Sequence, residues 1–522
     1  MSILLINPPV VKPGEPPAGI AQLAGALRFH GVSCTLLDAN MEGILHLAGK
    51  TPPVRDTWTM RAFRRRSEHL ADLGSGKAFE NIDRYKRAVA DINRLLQVNA
   101  GVSGIRLSLA NYQDNGLSPL RSGDLIRAFE CPDGNPFFPY FRERLPAILD
   151  ATRPGTVGIS LNYLSQALTA FSMMGFLRTV APGIRLVLGG GLVTSWIKSP
   201  AWSDPFRGMV DACMAGPGEG PLLSLLGKEP SCGRCAPDYS GFTLSSYLSP
   251  GVVLPYSASR GCYWHRCSFC PERAEGNAYE PVRPGQATTE LQELVKKMSP
   301  ALIHLLDNAV SPALLRALVQ DPPGAPWYGF ARVSEDLTDP DFCRSLKQSG
   351  CAMLKLGLES GSQDVLDGMQ KGIKLETAAA VLEALRGAGI ATYIYLLFGT
   401  PTEGPDEARR TLDFTARHRD GIGFLNLALF NLPAYGPDAD RYGGDPFYEG
   451  DLTLYRQFSH PRGWNRPQVR QFLDREFKRH PAVAEIVRRD PPLFSSNHAP
   501  FFSGIVTGDR SARSRQGRPA GS

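Results

Sequence analysis

Apolar positions fall in short runs separated by amphipathic stretches, and the two alternate from the start of the chain. Ile3–Ile6 reads as a buried strand that Asn7-Pro8-Pro9 stops. Ile20, Leu23, Ala24 and Leu27 recur at helical spacing and predict a helix ending at Gly31, with Cys34–Leu37 as a second strand. From about 48 to 148 the rhythm gives way to a charged helix, Arg84–Leu96, and then to irregular sequence punctuated by Pro and Gly. This stretch reads as an insertion. The alternation resumes with strand Val157–Leu161, helix Gln166–Val180, strand Leu186–Leu188, the turn Gly189-Gly190-Gly191 and strand Met209–Met214. Gly216-Pro217-Gly218-Glu219-Gly220 then leads into a short helix.

Strands that alternate with helices predict a parallel, doubly wound, Rossmann-like sheet over 1–226, with its ligand crevice at the strand carboxyl ends. Residues 227–250, rich in Gly, Pro and Ser, read as a linker. A second βα series follows, with strands near Leu254–Ser257, Leu302–Leu306, Tyr328–Ala331, Met353–Leu358, Thr392–Phe398 and Phe424–Ala428. The helices Thr289–Met298, Pro312–Val319, Pro340–Ser349, Glu376–Gly389 and Glu407–His418 fit between them. Such a series predicts a partial (β/α)6 barrel of the TIM type over 251–435, its chemistry at the strand carboxyl ends. Residues 436–503 form a smaller aromatic-rich segment that caps the barrel. The fold class is therefore α/β throughout.

Composition narrows the class without naming it. The 522 residues are 43% hydrophobic and 9% aromatic, which excludes disorder over most of the length. Half of the formal charge of +6 sits in the tail from Gly508, where Arg510, Arg513, Arg515 and Arg518 face one acid, Asp509. That tail, taken as 504–522, reads as disordered. No basic stripe interleaved with aromatics marks a nucleic-acid surface. No apolar run reaches the length of a secretory or transmembrane segment. A cytoplasmic, reducing setting follows, in which clustered cysteines read as metal ligands or redox groups before disulfides.

Three of the ten cysteines form such a cluster. Cys262, Cys267 and Cys270 make C-x4-C-x2-C directly after a predicted strand. Three thiolates on one loop can hold three irons of a [4Fe–4S] cluster and leave the fourth open, whereas an electron-transfer cluster takes four. Zinc also takes four ligands, for which His265 or a distant cysteine is available. Merely buried thiols are the third reading.

In this arrangement the chain resembles the radical S-adenosylmethionine (SAM) enzymes, specifically the subgroup with an N-terminal cobalamin-binding-type domain. The resemblance implies that Cys262, Cys267 and Cys270 bind a [4Fe–4S] cluster and that SAM chelates the open iron. Reductive cleavage of SAM would then start radical chemistry. Phe269 matches the aromatic that precedes the last cysteine, although the spacing is one residue longer than the common C-x3-C-x2-C. For SAM, the resemblance points to Asp307 and Asn308, to Glu359 and Ser360 in Gly357-Leu358-Glu359-Ser360-Gly361, and to Gly399 in Leu397-Phe398-Gly399-Thr400-Pro401. For a cobalamin, it points to Asn7, Pro8, Asp38, Asn40, Gly189, Gly190, Gly218 and Glu219. Asp38-x-Asn40-x-x-Gly43 has the spacing of the subgroup's Asp-x-His-x-x-Gly signature without its imidazole, so a cobalamin here lacks that histidine ligand.

The expected activity is radical chemistry, with C-methylation leading among the reactions and cyclisation or rearrangement without cobalamin as the alternative. A zinc-binding module without enzymatic activity is the remote one. The expected partners are a small-molecule or peptide substrate and an electron donor such as flavodoxin or ferredoxin, with no membrane and no nucleic acid. Cys232-x-x-Cys235 reads as structural or incidental thiols, with metal binding or redox cycling as the alternative; Cys343 and Cys351 read as buried small residues, and Trp464 and Tyr455 as core or pocket wall. His498 reads either as a hydrogen-bonded structural histidine or as an acid–base group.

Overall fold

The computed structural model describes residues 2–101, 103–230, 233–492 and 498–502. The tail 504–522 and Cys232 lie outside the described residues. Two parallel sheets organise the rest.

In the first sheet, β1 (Ser2–Asn7), β2 (Ser33–Asp38), β3 (Thr156–Ser160), β4 (Arg185–Gly189) and β5 (Ala212–Cys213) stand in the order β2-β1-β3-β4-β5. All neighbours are parallel, and Ile3, Leu4, Leu5 and Ile6 are each 1% exposed or less. Burial on both faces explains the unbroken apolar run of β1, since helices cover both sides of such a sheet. Helices α1 (Ala18–Phe29) and α2 (Ala39–Gly49) follow the first two strands.

The insertion is more helical than its sequence suggests. Helices α3 (Thr57–Ser75), α4 (Ile82–Asn99), α5 (Ser122–Glu130) and α6 (Phe138–Thr152) fill it, and α3 and α4 pack together. Asp56 caps α3 by accepting from Thr59 N at 2.9 Å, and Pro146 is tolerated within α6. Helix α7 (Leu164–Val180) lies against α5 and is buried over most of its surface. Gly175 faces the carbonyl of Phe129 so closely that a Cβ there would collide with it.

The second sheet holds β6 (Val253–Tyr256), β7 (Leu302–Leu305), β8 (Trp327–Ala331), β9 (Cys351–Glu359), β10 (Ala391–Phe398) and β11 (Phe424–Leu429). Its order is β11-β10-β9-β8-β7-β6, every pair is parallel, and the edge strands β6 and β11 do not pair. This is the open six-stranded barrel expected from the repeats. A three-stranded antiparallel sheet, built from Leu432–Pro433, Gly443–Pro446 and Tyr455–Phe458, stands beside its rim.

A buried polar chain joins the two sheets. Glu15, on the loop between β1 and α1, reaches the barrel interior and accepts from His304 Nδ1 at 2.9 Å. Lys12 pairs with the same carboxylate at 3.1 Å. Lys355 Nζ donates to His304 Nε2 at 2.8 Å, and the imidazole stacks on Tyr328 with centroids 4.4 Å apart. Burial pulls His304 down to about 3, so a neutral ring donates through Nδ1 and accepts through Nε2. Burial, and then the charge of Lys12, brings Lys355 down to about 7.

Gly175→Ala forces α5 away from α7 and lowers stability by about 1–3 kcal/mol. The measurement is a lower midpoint of urea unfolding followed by circular dichroism.

Candidate active site

The cysteine loop hangs between β6 and β7, at the carboxyl end of the barrel. Cys267 is buried and Cys262 and Cys270 are half-buried. Burial pushes the Cys270 thiol up to about 11. The loop is pinned from the far side of the barrel mouth: Ser268 N donates to Met369 O at 3.0 Å, and Trp264 Nε1 donates to Gln370 O at 3.1 Å. Trp264 packs against Gly372, whose φ of 66° and lack of Cβ both serve the contact, because a Cβ would collide with the indole ring. The long spacing between the first two cysteines is absorbed here, where His265 takes a left-handed φ of 47°.

Arg332, just beyond β8, completes this wall. It lies 4.3 Å from the Trp264 ring centre, donates through Nη2 to the carbonyl of Lys371, and brings Nη1 to 3.9 Å from Cys267 Sγ. The donor set suits a cluster that takes one thiolate per iron. Among the described residues, no three His, Cys, Asp or Glu side chains converge as ligands of one ion.

The residues expected around SAM divide into two sets. Asp307 is buried and serves the fold: it accepts from Ala258 N at 3.0 Å and from the Ser259 hydroxyl, and so ties the strand before the cysteine loop to β7. Ser360 is also buried, its hydroxyl against Thr411 Oγ1 at 3.1 Å and accepting from Ser362 N. Asn308 is exposed and donates to Gly261 O at 3.3 Å. Glu359 sits at a register slip between β9 and β10 with φ 68°, which aims its carboxylate at Lys371 Nζ, 2.7 Å away. Lys371 in turn lies 5.6 Å from the Phe269 ring centre. Gly399 N donates to Glu403, which also accepts from Trp464 Nε1 at 2.9 Å. Trp464 thus belongs to the wall of a small cavity of about 130 Å³ beside Gly399.

A cavity of about 920 Å³ opens beside the cysteine loop, lined from both sheets. Its floor is the crevice of the first sheet: Gly158 and Ser160 on β3, the turn Gly189-Gly190-Gly191 after β4, and Gly216–Glu219. Its opposite wall is Tyr256, Arg260, Gly261, Pro271 and Glu272, the residues that flank the cysteines. At Gly190, with φ 111°, a Cβ would collide with the Leu161 carbonyl. Asn162 accepts from Gly191 N at 2.9 Å, and Thr194 accepts from Gly216 N at 2.9 Å. Among the described residues, no histidine lines this cavity.

Of the residues expected at a cobalamin, Gly189, Gly190, Gly218 and Glu219 line the cavity, whereas Asn7, Pro8, Asp38 and Asn40 do not. Those four hold the loops behind it. Asp38 caps α2 and accepts from Asn7 Nδ2 at 2.9 Å and Tyr247 OH at 2.7 Å, and Asn40 pairs with the Val11 backbone. Glu219 is bound by Arg260, the residue two before Cys262. On the same rim Ser195 donates to Glu275 at 2.6 Å. The sequence reading missed Arg260, Arg332, Lys371, Glu403, Asn162 and Thr194. His498 lies at the opposite end of the barrel, stacked on Tyr393 and bonded to Asp490 at 2.8 Å, as a structural histidine. Cys343 and Cys351 are fully buried.

Residues 256–415 match the family model described as the Radical SAM superfamily. The barrel thus carries a Radical SAM domain. That superfamily's cofactors are a [4Fe–4S] cluster and SAM. Over 233 residues the chain is 26% identical to the bacteriochlorophyllide d C-12(1)-methyltransferase of Chlorobaculum tepidum, 42% of this chain and 48% of that one. Over 190 residues it is 25% identical to the anaerobic magnesium-protoporphyrin IX monomethyl ester cyclase of Rubrivivax gelatinosus, 34% of each. The matches thus span less than half the length of these curated relatives. Among solved structures, the radical SAM methyltransferase TsrM from Kitasatospora setae superposes with a TM-score of 0.56 at 16% identity, over 97% of this chain and 95% of that one. OxsB, a cobalamin-dependent SAM radical enzyme, gives a TM-score of 0.56 at 13% identity, over 91% of this chain and 67% of that one. The likeness to both is one of fold.

Glu403 supplies a pH test of this mouth. Burial lifts its carboxyl to about 7, against the hydrogen bonds from Gly399 and Trp464 that favour the anion. A raised folded-state pKa stabilises fully below about 4.5, and that contribution is lost as pH rises through about 7. Glu403→Gln therefore flattens the fall in melting temperature between these values. Parallel pH profiles for both proteins would show that Glu403 titrates normally.

Proposed function

We propose that this chain is a cobalamin-dependent radical SAM enzyme, with methyl transfer to carbon as its reaction. One observation carries the reading: a single cavity of about 920 Å³ is bounded by the strand-end crevice of one sheet and by the residues flanking the cysteine loop of the other. A substrate held there meets both halves of the chemistry, and the volume lies at the upper end of ordinary ligand sites. In this reading residues 1–226 are the cobalamin-binding-type domain, 251–435 the radical SAM barrel and 436–503 a C-terminal cap segment, of which Arg456–Phe458 and Trp464 stand at the mouth beside Gly399.

When bound, the cluster and SAM supply reductive formation of a deoxyadenosyl radical, and a corrinoid in the crevice supplies the methyl group. The protein positions and shields. Cys262, Cys267 and Cys270 hold the cluster, and Trp264 covers its loop on the Lys371 side. Glu359, paired with Lys371, presents an acceptor at the barrel mouth, where an ammonium or ribose hydroxyl can dock. The glycines at 189 and 190 let a flat ring lie on backbone, and Asn162 and Thr194 hold their turn. The substrate is a small molecule or a peptide, and the electron comes from a low-potential donor such as flavodoxin or ferredoxin, in a cytoplasmic setting. Among the described residues no helix is long and apolar enough to cross a membrane.

The second reading keeps the radical chemistry and gives the crevice to substrate alone. The absence of a histidine among the described residues of the cavity wall favours it.

Two measurements separate these readings. Anaerobic reconstitution with iron, sulfide, SAM and dithionite yields 5′-deoxyadenosine from the wild-type chain and at least a hundredfold less from a Cys262/Cys267/Cys270 triple alanine variant. Equal yields refute radical SAM activity. Protein purified with added cobalamin retains about one corrinoid per chain by its visible absorbance. An active enzyme that retains no corrinoid would leave the second reading standing.

A further inference from the structure

Among the described residues, Arg332 is a buried cation with no carboxylate partner. It is 9% exposed, yet no carboxylate among the described residues lies within ion-pair distance of it. The nearby acid, Glu359, is engaged by Lys371 at 2.7 Å. Its nearest neighbours are a carbonyl, an indole face and the sulfur of Cys267. A charge removed from water without a counter-charge is costly, and structures keep such a group where a ligand completes the pair. The fork is also held rigidly: Nη2 is fixed on the Lys371 carbonyl and the plane rests 4.3 Å above the centre of the Trp264 ring, which leaves Nη1 directed at Cys267 Sγ at 3.9 Å.

We infer that Arg332 is the counter-ion of the iron–sulfur cluster and sets its reduction potential by donating to the Cys267 sulfur. The inference rests on the radical SAM reading, since it needs a cluster on Cys267. A cubane on three thiolates carries net negative charge. Reduction adds one electron from a low-potential one-electron donor, moves no proton, and makes that charge more negative by one. A fixed guanidinium at a ligand sulfur stabilises the reduced form more than the oxidised, because net charge and hydrogen bonds to sulfur are the protein's means of moving such potentials. Arg332 acts through Cys267 and is a positioning residue.

The test uses the full chain, reconstituted anaerobically and assayed for iron and sulfide, as wild type, Arg332→Gln and Arg332→Lys. The midpoint of the cluster is read by electron paramagnetic resonance during titration with dithionite, without SAM. Arg332→Gln lowers the equilibrium constant for reduction at least tenfold, a midpoint about 59 mV more negative for a one-electron couple. Arg332→Lys keeps the charge but not the fork, and shifts in the same direction by less. If the glutamine variant fails to load iron, the lysine variant decides alone. Loaded variants with the wild-type midpoint overturn the inference, and so does a loss of SAM affinity without a change in midpoint, which would assign the guanidinium to the cofactor's carboxylate. A wild-type chain that takes up no cluster refutes the reading beneath it instead.

Discussion

Everything at the cavity depends on one buried carboxylate that leaves its own sheet and binds in the other. Glu15 rides on the first loop of the chain and ends on His304, inside the barrel. Lys12 balances its charge, and Lys355 continues the chain to β9. Such a set is poor evidence for stability, because desolvation offsets most of the attraction. It is directional, however: a hydrogen-bonded neutral imidazole between a carboxylate and an amine tolerates little displacement. The crevice of one sheet is thereby registered against the mouth of the other. The half-buried contacts of the rim, Arg260 with Glu219 and Ser195 with Glu275, then have only small distances left to span.

The α/β class and the succession of both sheets were legible because parallel strands are buried on both faces and read as apolar runs. Ile3–Ile6 stands out for that reason. The insertion was less legible. Helix α3 runs over Thr57–Ser75 with Arg64, Arg65 and Arg66 in its middle, and it gains its place from packing on α4 rather than from a continuous apolar stripe. The strand expected at Met209–Met214 shrinks to Ala212–Cys213 because it pairs only with β4 at the edge of its sheet.

At the site, the residues visible from sequence were those on one strand end or one loop. The three cysteines are such a group, and their spacing is local. Arg332 and Lys371 carry no local signal: each is an ordinary basic residue after a strand or helix, and its meaning arises from what lies across the barrel mouth. The motif residues Asp307 and Ser360 attracted notice at the right places, but their side chains turn into the fold. Asn7, Asp38 and Asn40 likewise mark the crevice by holding its loops from behind. A polar residue at a strand end has two directions open to it, and only the tertiary neighbours settle which one it takes.

The indole of Trp264 seated on Gly372 binds two distant stretches of sequence into one evolutionary unit. The tryptophan occupies the lengthened part of the cysteine loop, and the residue beneath it must have neither a side chain nor a right-handed backbone. A chain that shortened the loop would lose the ring and with it the demand for glycine. A chain that replaced the glycine first would lift the loop from its seat. Loop length and residue 372 must therefore change together, and a lineage can cross between the two spacings only by paired steps.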